Sequence, residues 1–208
     1  MKEILIYPTY FPSIAQMAAA AQADAVVLEL EDNYQKQTYR NRTYIAHNNG
    51  RLLLNVPVKH ATDGNRQKTK DVVVENDFDW QKQHWRSIQT AYRTSPFFEF
   101  YEDELAPFFS EKVAGLQTHN LRIFKVLHDL LGMEVSITTT TEYYRSPAQQ
   151  DLREMVNARR EKKYELEPYT QVLEAHHGFL PNLSVLDLLC NEGPNALHYL
   201  EKQKLAFI

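Results

Sequence analysis

The 208-residue sequence predicts an α/β protein: a mixed sheet with an N-terminal βαβ unit, a β-hairpin, and a helical middle and C-terminal part. Three observations carry this prediction. Two short apolar runs flank a helical repeat within the first 30 residues. An Asn48-Asn49-Gly50 turn joins two segments with strand-like patterning. Apolar residues then recur three and four apart through the middle of the chain.

In order, residues 3–7 hold Ile4, Leu5 and Ile6, enough for a buried strand, and Pro8 and Pro12 interrupt regular structure after it. Ile14, Met17, Ala18 and Ala21 share a helical face, with Ser13 available as the cap. Residues 25–30 form the second apolar run, and strand, helix and strand in this span imply a parallel pair. Residues 38–46 and 51–58 are the hairpin strands, with Leu52, Leu54, Val56 and Val58 on the core face. A polar loop is expected over 59–70, and a strand over 71–75 with its three valines.

Trp80, His84, Ile88 and Ala91 or Tyr92 mark a helix capped by Asp77 or Asp79. Pro96 and Pro107 divide the aromatic stretch 97–109. Leu121, Phe124, Leu127, His128 and Leu131 form another stripe that Gly132 ends, and 134–141 reads as a strand. Ser146-Pro147-Ala148-Gln149 predicts a helix start. The charged run 151–167 predicts a solvated helix or connector, and two short helices lie at 183–189 and 196–200 around Gly193-Pro194.

The length predicts a single domain, 1–208, which at this size buries roughly 70% of the unfolded chain's surface and folds without cross-links. One cysteine, Cys190, excludes an intrachain disulfide and a cysteine-rich metal site. With no signal-like N-terminus and no apolar run of about 20 residues, a cytoplasmic protein with no membrane span is expected. A net charge of −4 argues against nucleic acid as a partner. That charge is uneven: residues 33–70 carry eight basic residues against Asp63 alone, a local +7 that leaves −11 elsewhere. Such a segment points to an anionic small-molecule ligand, phosphate or carboxylate, or simply to a solvated basic face.

The candidate ligand group is Arg40, Asn41, Arg42 and Lys59. On one extended strand Arg40 and Arg42 project from the same face about 6.6 Å apart, and their guanidinium forks suit a phosphate or carboxylate. The hairpin would return Lys59 beside them. Thr140, near the end of a predicted strand, would line the crevice of an α/β sheet. His84, bracketed by aromatics, is the candidate catalytic acid or base, against the plainer reading of a hydrogen-bonded core histidine. Asp187 in an apolar helix needs a buried partner, and Cys190 packs as a small hydrophobe. No phosphate loop, dinucleotide fingerprint or metal-ligand spacing is present, so the sequence names no cofactor and no metal; oligomeric state is equally unmarked.

Four stretches together resemble the WbqC-like family. They are Tyr7-Pro8-Thr9-Tyr10-Phe11-Pro12; Tyr39-Arg40-Asn41-Arg42-Thr43-Tyr44-Ile45 leading to Val56-Pro57-Val58; His84-Trp85-Arg86-Ser87-Ile88 with Tyr92, Ser95-Pro96 and Phe97; and residues 183–193. The chain looks like the short branch of that family. The resemblance implies a setting in O-antigen or other cell-surface polysaccharide biosynthesis and an undefined reaction. It makes the loop holding Tyr10 a further candidate for ligand contact. The expectation is a transferase-type enzyme using an activated sugar or acyl donor; the alternative is a non-catalytic accessory or ligand-binding protein of envelope assembly. A fainter resemblance, to nucleotidylyltransferases, rests on the order strand, proline loop, helix, strand. Ser13-Ile14-Ala15-Gln16 lacks the histidines and glycine of that helix start, so this likeness bears on fold alone.

Overall fold

The computed structural model describes residues 3–59 and 66–205. Its centre is the predicted βαβ unit: β1 (Glu3–Ile6), α1 (Ile14–Ala21) and β2 (Ala25–Leu28), with β1 and β2 parallel and Glu3 opposite Ala25. The burial pattern explains the element. Ile14, Ala15, Met17, Ala18, Ala19 and Ala20 are all buried, as is Gln16, whose amide donates to the Tyr7 carbonyl and accepts from Thr9, so α1 lies inside the protein rather than upon it. Alanines on this helix let its neighbours approach closely.

The hairpin follows, β3 (Arg42–His47) antiparallel to β4 (Gly50–Asn55). Asn48 and Asn49 form the turn, and Gly50 alone takes the left-handed conformation there, at φ +109°. Leu54 and Val56 are buried with Leu52 and Val58 packed beside them, while Leu53 on the opposite face is 40% exposed. Half of the expected 59–70 loop, residues 60–65, lies outside the described residues. Residues 71–75 form no strand. Val74 bridges Val58 and Val73 bridges Gly115, one pair each, because neighbouring segments meet them at a point rather than along a line.

The helical middle contains α2 (Trp80–Tyr92), α3 (Phe98–Leu105), α4 (Pro107–Ser110) and α5 (Leu116–Leu130). The buried residues of α2 are Trp80, His84, Ile88, Ala91 and Tyr92, the stripe read from the sequence. Asp79 precedes α2 without making a side-chain cap bond. Pro107 separates α3 from α4, since its ring cannot continue the helix, and Gly132 at φ +68° ends α5.

Two further parallel strands complete the sheet. β5 (Ser136–Thr139) pairs with β2, and β6 (Gln150–Asp151) pairs with β1, giving the order β5-β2-β1-β6. The predicted mixture of strand directions therefore occurs as an all-parallel sheet and a separate antiparallel hairpin. The helix expected from Ser146 is absent: this segment enters β6 and then a 3-10 turn, Arg153–Val156. Backbone pairing with Ile4 and Leu5 outweighs the local cap signal. The run 151–167 is mainly a connector, with no α-helix.

After α6 (Glu174–His177), α7 (Val185–Glu192) and α8 (Ala196–Lys202) pack against α1. Asp187 is fully buried within α7 and finds phenol and amide partners rather than an ion pair. Tyr169 donates to it at 2.5 Å and Gln171 at 2.9 Å, while burial pushes its carboxyl pKa up. Cys190 is buried and free. Among the described residues no helix is long and apolar enough to cross a membrane.

Candidate functional site at the carboxyl edge of the sheet

In an open parallel sheet, ligands favour the crevice beyond the carboxyl ends of the strands, where the connections diverge to either side. Here the chain runs from β1 to β2 and on to β5, then returns to place β6 on the other side of β1. The point of divergence lies between β1 and β6. Tyr7, immediately after β1, stands there.

A cleft opens above it in two lobes of about 530 and 430 Å³, which share Tyr7, Gln35, Tyr143 and Arg145. Among the described residues four acids line the lobes, and each already has a basic partner. Asp32 accepts from Arg40 Nη2 at 2.6 Å, Glu31 pairs with Lys70 at 2.8 Å, Asp151 takes a fork from Arg153, and Glu154 pairs with Lys162. Arg66 and Arg145 also line the cleft, and neither has a carboxylate partner among the described residues.

The cleft floor is braced by two other arginines. Arg153 Nε and Nη2 donate to the two oxygens of Asp151 at 2.8 and 2.7 Å, and Nη1 donates to the Tyr144 carbonyl at 2.9 Å. The bonds to Arg153 pull the Asp151 carboxyl below its ordinary range. Arg153 also reaches Glu29, a fully buried carboxylate just past β2, at 3.4 Å. Arg40 lies 4.0 Å from the Tyr7 ring centroid, a cation–π contact that is desolvated on both sides. Burial pushes the Tyr7 phenol well above its ordinary value, although Arg40 opposes the shift.

The residues predicted from sequence separate in the structure. Arg40 sits in a turn before β3 with its side chain 1% exposed, so it does not project beside Arg42. The expected pair of parallel guanidinium forks is therefore corrected: only Arg42 belongs to the strand. Arg42 and Asn41 line a different cavity, of about 400 Å³. Lys59 pairs with Glu75 at 3.6 Å and is not among the lining residues of either cavity. Thr140 stays close to the cleft but is turned inward; its hydroxyl donates to Glu29 Oε1 at 2.7 Å and accepts from the Leu30 amide at 3.0 Å.

His84 and Tyr10 lie together in the core. The Tyr10 hydroxyl and His84 Nδ1 are 2.8 Å apart, and His84 also hydrogen-bonds the Asn55 backbone. Burial lowers the His84 pKa to about 4. The geometry is that of a neutral, hydrogen-bonded interior histidine, remote from the cleft's lining.

The first turn of α1 is also closed. Leu183 and Asn182 of the segment before α7 accept from the amides of Ile14 and Ala15 at 2.9 Å each, and the Ser13 hydroxyl accepts from Gln16. A helix start of this kind would otherwise suit a phosphate. Protein atoms take that role here, which leaves the nucleotidylyltransferase likeness at the level of strand order.

Tyr7, Asp32, Glu29, Arg145 and Arg153 escaped the sequence reading. Tyr7 and Glu29 lie at the carboxyl ends of the predicted strands 3–7 and 25–30, so the crevice rule could have named them. Arg145 and Arg153 depend on β6, which two polar residues do not announce. Among the described residues no group of three metal-ligating side chains occurs.

Fold and cleft together define an open α/β protein with a charged and aromatic crevice at its parallel sheet's carboxyl edge. The model of the WbqC-like protein family matches residues 7–165, which contain the whole lining of this cleft, and the chain belongs to that family. The match ends before α7, so residues 183–193 lie outside it. The chain is also 25% identical over 231 residues to the uncharacterized protein Rv1507c of Mycobacterium tuberculosis, covering 96% of this chain and 98% of that one. No solved structure matches it significantly.

Proposed function

We propose that the protein is a transferase-type enzyme that holds the anionic part of an activated sugar or acyl donor in the carboxyl-edge cleft. The setting that the family resemblance implies is cell-surface polysaccharide biosynthesis. One observation carries the reading: among the described residues every carboxylate lining the cleft has a basic partner, whereas Arg66 and Arg145 have no acidic one. An anion entering the cleft therefore meets guanidinium forks without displacing an internal pair. Tyr7, Tyr34 and Tyr143 supply aromatic walls for the rest of the ligand.

A second reading has its own support. Among the described residues no histidine lines either lobe and the cleft's acids are held in ion pairs, so none of them stands there as a free general base. Under that reading the protein binds the same class of ligand as a non-catalytic accessory of envelope assembly.

A thermal-shift panel of nucleotide sugars and coenzyme A thioesters tests the binding. A ligand at 100 times its Kd stabilises the fold by about 2.7 kcal/mol, a shift of a few degrees for a chain of this size. Arg145→Ala, an exposed position, should abolish that shift while leaving the unliganded midpoint unchanged. No response to any donor, or an equal response in the variant, would count against both readings. Turnover of a binding donor, followed by mass spectrometry, separates the enzyme from the accessory protein.

A further inference from the structure

The cavity of about 400 Å³ at the open end of the hairpin differs from the other four described. Each of those has at least one carboxylate in its lining; this one has none among the described residues, and it contains both Lys36 and Arg42. Neither cation has a carboxylate partner among the described residues. The protein's net charge is −4, so two unpaired cations facing one acid-free space are a local inversion of its balance.

Two buried atoms give the cavity a more particular chemistry. Arg42 Nε is buried with no hydrogen-bond partner, as is the side-chain oxygen of Asn41. Asn41 is 5% exposed, and its orientation is set by its nitrogen, which donates to the Val56 carbonyl at 3.0 Å and to Asn55 Oδ1 at 3.2 Å. Its oxygen is thus left to accept. A ligand satisfying this wall brings an oxyanion for Arg42 and Lys36 and a hydroxyl-type donor for Asn41. A carboxylate supplies only the first. A phosphoryl group protonated on one oxygen supplies both, through its charged oxygens and its own P–OH.

We propose that this cavity is a binding site for the phosphoryl group of a small metabolite, formed by Lys36, Asn41 and Arg42 and separate from the carboxyl-edge cleft. Tyr34 lines both spaces, so the two sites adjoin at this residue, while Lys36, Asn41 and Arg42 line only the hairpin cavity. Gln37, also in the lining, takes φ +59°, a left-handed conformation that shapes this loop beside the site. The proposal does not depend on the function proposed for the cleft.

The test is a titration of the full-length ¹⁵N-labelled protein with inorganic phosphate. Chloride at matched ionic strength and acetate form the two control arms. Saturable shifts are expected at the Asn41 side-chain amide and the Arg42 Nε–H. Lys36→Gln and Arg42→Gln should each weaken the phosphate response at least ten-fold, and Arg145→Ala should leave it intact. Lys36 is exposed, so its substitution preserves the fold and keeps the test decisive if Arg42→Gln does not. Equal shifts with chloride, equal saturation by acetate, or a response that survives Lys36→Gln would each overturn the proposal. A protein that ignores every donor in the cleft panel yet passes this titration would retain the phosphate site alone.

Discussion

Tyr7 and Tyr10 leave the same loop three residues apart and end in opposite environments. Tyr7 faces the cleft, backed by Arg40 and near Arg153, so its surroundings are charged and paired. Tyr10 is fully buried, bonded to His84, stacked on His119 with ring centroids 5.9 Å apart, and edge-on to Trp80. Both sides bury ionisable groups. The cleft side keeps its guanidinium charged beside a carboxylate, while the core side leaves its imidazoles neutral, with His84 and His119 both lowered to about 4. Arginine cannot discharge and must be given a partner; histidine discharges for a modest cost.

The sharpest way to break this comparison is to remove the partner. Arg40→Met leaves the Asp32 carboxylate buried without its cation, and Asp32 Oδ1 has no hydrogen-bond partner to soften the loss. A destabilisation of about 3–5 kcal/mol is expected in urea unfolding. Adding Asp32→Leu removes the orphaned charge and should restore most of it. A single variant that loses under about 1 kcal/mol would mean that the pair does not hold the cleft floor.

The core side predicts a dependence on pH instead. The unfolded histidines titrate near 6.5 and the folded ones near 4, so the unfolded state binds more protons between these values. Stability is then fully present above pH 6.5 and falls as pH drops toward 4, by up to about 3 kcal/mol per histidine. Asp187, whose pKa burial raises, acts in the opposite sense, because its contribution is lost as pH rises through its folded value. His119→Phe isolates one imidazole. Its ring is already enclosed by Tyr10, Trp80 and Phe108, and its Nε2 has no partner to lose. The slope of unfolding free energy against pH between 4 and 6.5 should drop by about half. An unchanged slope would show that this histidine is not buried neutral.

This division explains what could be read in advance. The core side was legible because it is periodic: Trp80, His84 and Ile88 recur at helical spacing, and Ser13 announces α1 where it begins. The hairpin was legible from a turn signal between alternating residues. The cleft was not, because its parts come from segments without period. β6 exists only through its pairing with Ile4 and Leu5, and the cap signal at Ser146 pointed to a helix in its place. Arg40 illustrates the limit at one residue. The sequence placed it two positions from Arg42 and implied a shared face, but the turn before β3 rotates it inward to meet Asp32. A spacing argument holds only while the backbone conformation it assumes is the one adopted.

Lys59 gives the comparison its smallest and most useful contrast. It joined Arg40 in the expected ligand group, and like Arg40 it meets an acid, Glu75 at 3.6 Å. The two pairs differ in burial: the Lys59 side chain is 55% exposed, against 1% for Arg40. Water and salt screen the exposed pair, and ordering a long lysine side chain offsets what attraction is left. Lys59→Ala should therefore change stability by no more than about 1 kcal/mol, and still less at 1 M salt. Its phosphate titration should match that of the unmodified protein, since Lys59 is absent from the lining of the hairpin cavity. A variant that lost phosphate binding would return Lys59 to the ligand group and show that burial, not sequence proximity, was misjudged at this end of the hairpin.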